Sequence, residues 1–372
     1  MTNNFKRWVQ DLIKPTGIVI NGSNPWDIKI NNPKFYNRVK AQGSLGLGES
    51  YVDTWWDCDK LDEFFYRLLS FNIQSKIGLS LPVALGFISA KLFNLQAIKR
   101  AFQVGEKHYD IGNDLFSPML GETMAYSCGY WKTTKNLDQA QEAKFDLICK
   151  KLNLQKNQKI LDIGCGWGGF AYFAAKNYGV KVVGITVSKE QIKFAEKLCK
   201  GLPVEFRLQD YRQLAGQFDH IVSVGMFEHV GAKNYKTFMK IAKNCLKEDG
   251  LFLLHTIGSL KTSSSTDRWV NKYIFPNGML PSLKRIASSV EGLFVIEDVH
   301  NFGADYDKTL MAWHKNFQKA WPKLKNKYGD RFYRMWNYYL LSCAGTFRAR
   351  DIQLWQIVLS PKGVPGGYKS IR

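Results

Sequence analysis

The sequence predicts an α/β protein whose larger part is a doubly wound, mostly parallel sheet, preceded by a small accessory domain. Two observations carry that expectation. From residue 159 onward, apolar strand-like runs alternate with helical stretches, and the first run opens into a glycine-rich turn, "ILDIGCGWGG", residues 160–169. A third observation is a change of character near residue 100, which separates this pattern from an aromatic and acidic N-terminal part.

In chain order, residues 43–50, "GSLGLGES", read as a glycine-rich turn, and "YVDTWWDCDKLDEFFYRLLSF" feeds an amphipathic helix from Leu61. "LQAIKRAFQVGEKHYDIGNDLF" reads as a linker running into a polar loop. The predicted division is therefore an accessory domain at 1–95, a linker at 96–112 and a main domain at 113–372. Six strands can be named: "KILDIG", "KVVGITV", "VEFRLQD", "FDHIVSVG", "GLFLLHTIG" and "LFVIEDV". Between the second and third, a helix is expected over Ser188 to Lys200, with Ser188 and Gln191 as a capping box and Gly201 as the stop.

Charge narrows the partners. The 372 residues carry 52 Lys and Arg against 32 Asp and Glu, a net +20, and this favours an anionic partner such as nucleic acid, acidic lipid or a phosphorylated substrate. The surplus is uneven, 13 basic to 4 acidic over residues 301–372 but 5 to 7 over 101–150. An anionic surface is thus expected to meet the last quarter of the chain. "MTNNFKRWVQDLIKPTG" has no apolar h-region, so no secretory signal is expected. The longest uncharged apolar-rich stretch, Ile77 to Ala90, contains Pro82 and is too short to span a hydrocarbon core of about 30 Å. Seven cysteines without a C-x-x-C pair or metal-ligand spacing point to free thiols in a reduced compartment and to no metal site.

A doubly wound sheet binds ligands beyond the carboxyl ends of its strands, where strand order reverses. Gly164, Gly166, Gly168 and Gly169 lack the β-carbons that would keep a ligand from the main chain, and the helix that follows offers free N–H groups. The spacing G-x-G-x-G-G differs from the dinucleotide pattern, and no Lys-Ser or Lys-Thr follows as a phosphate loop requires. A nucleoside without a pyrophosphate fits better; the competing reading is a tight turn that serves packing alone.

"LDIGCGWG" resembles the first motif of S-adenosylmethionine (SAM) methyltransferases, and Asp210 after the third strand stands where that superfamily holds the adenine. Its members usually end the second strand with an acid for the ribose. This chain has "GITVSKEQ", which leaves Thr186 and Gln191 as the polar substitutes, Gln191 having a competing role in the capping box. Asp162 is expected to orient the glycine loop through main-chain N–H groups rather than touch ligand.

Further segments narrow the resemblance. "GEKHYDIGNDLFSPMLGETMAYSCGYW", "SVGMFEHVG", "LLHTIG", "NFGADYDKTLMAW" and the N-terminal "GSLGLGESYVDTWWDCDKLDEFF" are similar to the cyclopropane-fatty-acyl-phospholipid synthases, over nearly the whole chain. That resemblance implies a Rossmann-like class I SAM methyltransferase domain with a seven-stranded, mostly parallel sheet. It also implies a reaction in which SAM supplies a methylene carbon to a cis double bond of a phospholipid acyl chain. A bicarbonate ion is implied as the base, held by Cys128, Glu228, His255, Tyr306 and the backbone of Ile257. Cofactor contacts carry over to Tyr126, Ser127, Gly164, Gly166, Thr186, Gln191, Asp210 and Tyr211. An alkene is a weak nucleophile and its cation is trapped by water, so the aromatics Tyr126, Tyr130, Trp131, Phe227, Tyr273 and Tyr306 are candidates to line a dry pocket. Taken singly, Glu228 reads equally as a helix cap, His255 as a satisfied strand-end histidine, Cys128 as a small hydrophobe and each aromatic as core.

The resemblance implies a homodimer; the missing h-region leads to the expectation of a cytoplasmic enzyme, and the basic surplus with a bilayer-locked substrate to one peripheral on the inner face of the membrane, with anionic phospholipid as both substrate and docking surface. Residues 314–341, "HKNFQKAWPKLKNKYGDRFYRMWNYYLL", and residues 77–90 are the expected docking segments, against the alternative of a solvated helix with a buried aromatic stripe. Three other readings remain open on sequence: a SAM enzyme acting on RNA, an amine methyltransferase, and a non-catalytic binding protein that retains the pocket. No RNA-binding motif is present, so nucleic acid is not an expected partner.

Overall fold

The computed structural model describes residues 2–71, 112–263 and 266–372, with side chains from residue 6 onward. The expected docking segment 77–90 and most of the expected linker lie outside the described residues. The chain forms two compact units, and neither is continuous in sequence. One comprises Met1–Leu92, Ser265–Pro276 and Tyr306–Ile352; the other comprises Phe93–Ser264, Asn277–Asp305 and Gln353–Arg372. The division drawn along the sequence, 1–95, 96–112 and 113–372, thus differs from the spatial one, because two stretches of the C-terminal half cluster with the N-terminal part.

The second unit contains the sheet. Its strands are β1 (Lys159–Ile163), β2 (Lys181–Thr186), β3 (Val204–Leu208), β4 (Phe218–Val224), β5 (Leu246–Ser259), β6 (Val295–Asn301) and β7 (Ile352–Ser360), in the order β3-β2-β1-β4-β5-β7-β6. The six strands named from sequence are β1 to β6; the seventh, "IQLWQIVLS", was implied only by the resemblance. β1 pairs in parallel with β2 and with β4, β2 with β3 and β4 with β5, whereas β6 and β7 are antiparallel.

Strand side chains alternate between two cores. Leu161, Ile163, Val183, Ile185, Phe252 and Leu254 enter one apolar cluster, while Ile160, Val182, Leu251 and Leu253 enter the other. Burial on both faces is why these strands read as continuous apolar runs rather than alternating ones. The helix expected at Ser188 to Lys200 is Lys189–Leu198. Ser188 is its N-cap, accepting the Gln191 N–H, and Gly201 lies beyond its end at φ +85°. The reciprocal half of the capping box is replaced: the Ser188 N–H donates to Thr186 Oγ1, and Thr186 Oγ1–H donates to Gln191 Oε1.

In the first unit, "GSLGLGES" is not a turn. Residues Ser44–Val52 are an α-helix, and its glycines allow close approach: a β-carbon at Gly46 would lie 2.5 Å from the Arg38 carbonyl oxygen, and one at Gly48 would enter the Trp269 indole. Glu49 on this helix accepts hydrogen bonds from Arg38, Lys272 and Tyr273. Burial pulls its carboxyl upward, but these three donors hold it down at about 2. The helix Leu61–Ser70 forms as expected, and Arg348 joins it to the C-terminal stretch through Asp62 at 2.8 Å, Glu63 at 3.3 Å and Asp307 at 2.9 Å.

The helical stretch Ala304–Arg348 is two helices that meet at Gly329, where φ is +74°. Aromatic side chains join them: Trp321 lies 4.8 Å from Tyr333 between ring centroids, and Phe317 stacks on Tyr333 at 5.8 Å. The aromatic stripe foreseen at 314–341 therefore packs within the unit. Lys315, Lys319, Lys323 and Lys327, spaced four apart, are exposed. No helix among the described residues is long and apolar enough to cross a membrane.

Candidate active site

The order of the sheet reverses at β1, so its ligand crevice opens beyond the carboxyl ends of β1 and β4. The glycine turn lies at the end of β1. The N–H groups of Gly164 and Cys165 are both donated to the Ile185 carbonyl on β2, which fixes the turn to its neighbour. Gly166 has φ +55° and nothing within 4 Å of where its β-carbon would be, so a ligand can approach the main chain there. The other glycines are packing positions: Met226 meets Gly164, Ala195 and Phe206 meet Gly168, and the Thr123 carbonyl meets Gly169. The turn thus combines both sequence readings, a cradle at one glycine and tight packing at three.

Around this cradle the structure gathers most of the expected cofactor residues. Thr186 and Gln191 are buried and bonded to each other at 2.7 Å, and among the described residues Gln191 Nε2 makes no hydrogen bond. Asp210 is buried after β3, with both carboxylate oxygens engaged by the Arg212 side chain at 2.7 and 2.8 Å; any base contact it makes is shared with that guanidinium. The Tyr211 ring packs 5.2 Å from Phe238, and its buried hydroxyl has no partner among the described residues. Tyr126 packs edge-on against Phe116 at 5.3 Å. The expectation for Asp162 needs correction. Its side chain makes no hydrogen bond to the glycine loop; the carboxyl is buried, burial raises it to about 7, and the Lys144 charge only partly opposes that rise.

Beside the cradle, in the same unit, lie Cys128, Glu228, His255 and Ile257 of the expected anion site. Val224 at the end of β4 is in register with His255 on β5, and the Gly225 N–H donates to the His255 carbonyl. The chain then turns through the short helix Phe227–His229, which puts Glu228 against the end of β5. Glu228 Oε1 accepts the Ile257 N–H at 2.6 Å, while its Oε2 is buried without a partner among the described residues. Desolvation raises this carboxyl to about 7, against lowering by the Ile257 N–H, by its own N–H and by the Thr256 side chain. Ile257 therefore serves here by holding Glu228, since its N–H is already donated.

His255 is buried, with Gln356 Nε2 at 3.3 Å from Nδ1. The Gln356 amide thus occupies the Nδ1 side of the ring, and Nε2 is left buried without a partner among the described residues. Burial first, then the charges of Lys144 and Lys151, hold the ring well below the usual histidine range, so it is neutral. Cys128 is buried, its Sγ–H reaching the Gly129 carbonyl at 3.2 Å. Tyr306 belongs to the first unit, where it is buried and stacks on Phe347 at 4.4 Å. Of the aromatics proposed to line a dry pocket, Phe227 is core, stacked on Tyr235 at 4.2 Å, and the Tyr273 hydroxyl is committed to Glu49.

One residue of this region escaped the sequence reading. Lys144, on the helix Leu137–Lys151, is fully buried and donates at 2.7 Å to both Ser127 Oγ and Gln141 Oε1. Burial lowers its ammonium to about 7, while Cys128 and Asp162 act in the opposite direction. The legible signal was spacing: Gln141, Lys144 and Lys151 recur at three and seven, one helix face, and all three are buried.

Comparison with known proteins identifies the family. Residues 96–357 match the mycolic acid cyclopropane synthetase family. The chain is 56% identical to the cyclopropane-fatty-acyl-phospholipid synthase of Escherichia coli, covering 100% of this chain and 97% of that protein. It is 40% identical to a probable fatty acid methyltransferase of Pseudomonas putida, over 68% of this chain and 67% of the relative. Among solved structures, a cyclopropane synthase of Mycobacterium tuberculosis superposes with TM-score 0.66 at 31% identity, covering 69% of this chain and 97% of that one. A mycolic acid cyclopropane synthase solved with SAH and CTAB superposes equally well, with TM-score 0.66 at 32% identity over 69% of this chain and 97% of that one. The chain belongs to the cyclopropane-fatty-acyl-phospholipid synthase family, within the SAM-dependent methyltransferases.

Proposed function

We propose that this enzyme adds a methylene group from SAM across the cis double bond of unsaturated acyl chains in membrane phospholipids, with bicarbonate bound beside the acyl chain as the base. The observation that carries the reading is a pair of buried, unpartnered atoms, Glu228 Oε2 and His255 Nε2, at the carboxyl ends of β4 and β5. It stands in a chain similar throughout its length to a named synthase of that activity. Buried polar atoms without partners are rare in folded proteins, and these two have the character a hydrogencarbonate requires. The imidazole presents an N–H to an anionic oxygen, and the carboxylate accepts a hydroxyl proton.

Gly166 and the start of the helix Gly169–Tyr178 would hold the cofactor, with Thr186, Gln191, Asp210 and Tyr211 around it, and Tyr126 and Ser127 closing over it. When bound, SAM donates its methyl to the alkene and bicarbonate accepts one proton from that carbon, so that the lipid gains CH₂. The chain's own contribution is to orient and to exclude water. His255 stays neutral, so it donates one directed hydrogen bond without adding a charge next to the developing cation. Glu228, anchored by the Ile257 N–H, keeps a fixed carboxyl oxygen toward the anion. Cys128, in the same unit, joins the proposed ligand set.

Access to a bilayer substrate is proposed to run through the exposed lysines 315, 319, 323 and 327, each worth about 1 kcal/mol near an anionic leaflet. The enzyme is proposed to act as a homodimer in the cytoplasm, peripheral on the inner face of the membrane. The test is mass spectrometry of vesicles that contain a cis-unsaturated phospholipid, incubated with the protein and methyl-labelled SAM. A labelled gain of CH₂ with loss of the double bond is expected. Retention of the double bond would instead indicate a methyl or methylene branch, a product in keeping with the relatives named as fatty acid methyltransferases. Absence of lipid label would refute the reading.

A further inference from the structure

The helix Leu137–Lys151 turns a polar face inward. Ala140 and Ile148 are buried there as expected, but so are Gln141 and Lys144, and both reach the segment that carries Tyr126, Ser127 and Cys128. Gln141 Nε2 donates to the Ser127 carbonyl at 2.8 Å and lies 3.4 Å from that of Ala125. Lys144 Nζ donates at 2.7 Å to Ser127 Oγ and to Gln141 Oε1. The two side chains form one clamp, and the peptide they hold leads into the buried Cys128.

The charge at the centre of this clamp is unusual. Lys151, about two turns further along the helix, has Asp298 at 3.5 Å. Lys144 has no carboxylate within 4.0 Å among the described residues, and its remaining close neighbour is the Phe145 ring, 4.5 Å from Nζ. A buried ammonium is retained against a desolvation penalty only where something anionic offsets it, and here Cys128 and the Asp162 carboxyl do so only in part, burial still lowering the group to about 7. Its field reaches Cys128, Asp162 and His255. At the ends of β4 and β5 stand groups that cannot attract an anion on their own, the neutral His255 imidazole, which feels the Lys144 charge, and the Glu228 carboxyl with its buried Oε2.

We propose that Lys144 is a positioning residue of the anion site: through Ser127 and Gln141 it fixes the Ser127–Cys128 peptide, and its ammonium supplies the positive charge that holds bicarbonate beside Glu228. The inference rests on the bicarbonate reading given above. It explains why a lysine occupies an inward position of an amphipathic helix, and why the Glu228 carboxyl and an anion can share one pocket. The counter-charge acts through the clamp and through space rather than by direct contact.

The test is a titration of ¹³C-bicarbonate, followed by the broadening and shift of its NMR signal, against protein saturated with S-adenosylhomocysteine. Saturable binding is expected for the wild type. Lys144→Met keeps the volume and removes the charge; its bicarbonate affinity should fall about tenfold or more, by far more than any loss of S-adenosylhomocysteine affinity in calorimetry. Lys144→Arg retains the charge and should keep part of the affinity. Wild-type bicarbonate affinity in Lys144→Met, equal loss in both variants, or parallel loss of S-adenosylhomocysteine binding would each overturn the inference. Absence of saturable binding by the wild type itself would overturn the bicarbonate reading as well, so the two failures are distinguishable.

Discussion

Glu228 Oε1 accepts the backbone N–H of Ile257 at 2.6 Å, tying the turn after β4 to the end of β5 while Oε2 remains buried and unpartnered. Glutamine can keep the first bond and lose the second function. Glu228→Gln should therefore leave S-adenosylhomocysteine affinity unchanged and lower turnover by about a hundredfold or more. The same variant has a pH signature. The carboxyl titrates near 7 in the folded protein against 4.5 for the ordinary group, so the unfolded chain releases its proton first as pH rises. The associated stability is complete below about 4.5 and lost as pH rises through about 7. Denaturation should find Glu228→Gln equal to wild type at pH 4 and more stable at pH 8, by at most about 3 kcal/mol. Equal stability at both values would remove the shift from the account.

Gly166 and Gly168 separate binding from packing. An alanine methyl at Gly166 would enter open space at φ +55°, with strain of about 1 kcal/mol, and should weaken S-adenosylhomocysteine binding about tenfold in calorimetry. At Gly168 the methyl would lie 2.9 Å from Ala195 and Phe206, so Gly168→Ala should mainly lower the melting temperature. Identical losses from both substitutions would contradict the assignment of the cradle to Gly166.

Arg348 gathers Asp62, Glu63 and Asp307, from the N-terminal helix and from the later stretch that packs with it. Arg348→Met leaves three partly buried carboxylates together without their counter-ion. Urea denaturation should show a loss of about 2 kcal/mol, and the loss should be largely recovered when Asp62→Asn and Asp307→Asn are added.

Lys315, Lys319, Lys323 and Lys327 form an exposed stripe on the helix that carries the inward aromatics. Replacing all four with glutamine should weaken cosedimentation with anionic vesicles at least about a hundredfold, with no change on neutral vesicles. Unchanged binding to anionic vesicles would exclude this stripe as the docking surface.

Much of the main unit was legible because its strands are buried on both faces, so each reads as an unbroken apolar run closed by a turn. β7 was not singled out: "IQLWQIVLS" follows a long basic helix instead of a βαβ crossover, and alternation no longer marks it. Residues 265–276 and 306–352 joining the N-terminal unit was equally illegible, because the contacts that bring them there, such as Lys272 and Tyr273 on Glu49, link positions over two hundred residues apart. The helix at Ser44–Val52 was misread because glycine marks turns far more often than close helix packing. At the site, Glu228, His255 and Cys128 were named only through the family resemblance, and two features depended on tertiary structure. Asp210 is committed to Arg212, and Lys144 lies inward on a helix whose charges suggest an exposed face.

The central claim is that one proton leaves the transferred carbon itself, at a site held by Glu228 and His255. It is tested most directly with trideuteromethyl-SAM and vesicles of a cis-monounsaturated phospholipid, reading deuterium in the product by mass spectrometry. The account predicts that two of the three deuterons are retained and the double bond is lost. Retention of all three would mean that the proton is taken from the acyl chain, and would contradict ring closure at this site.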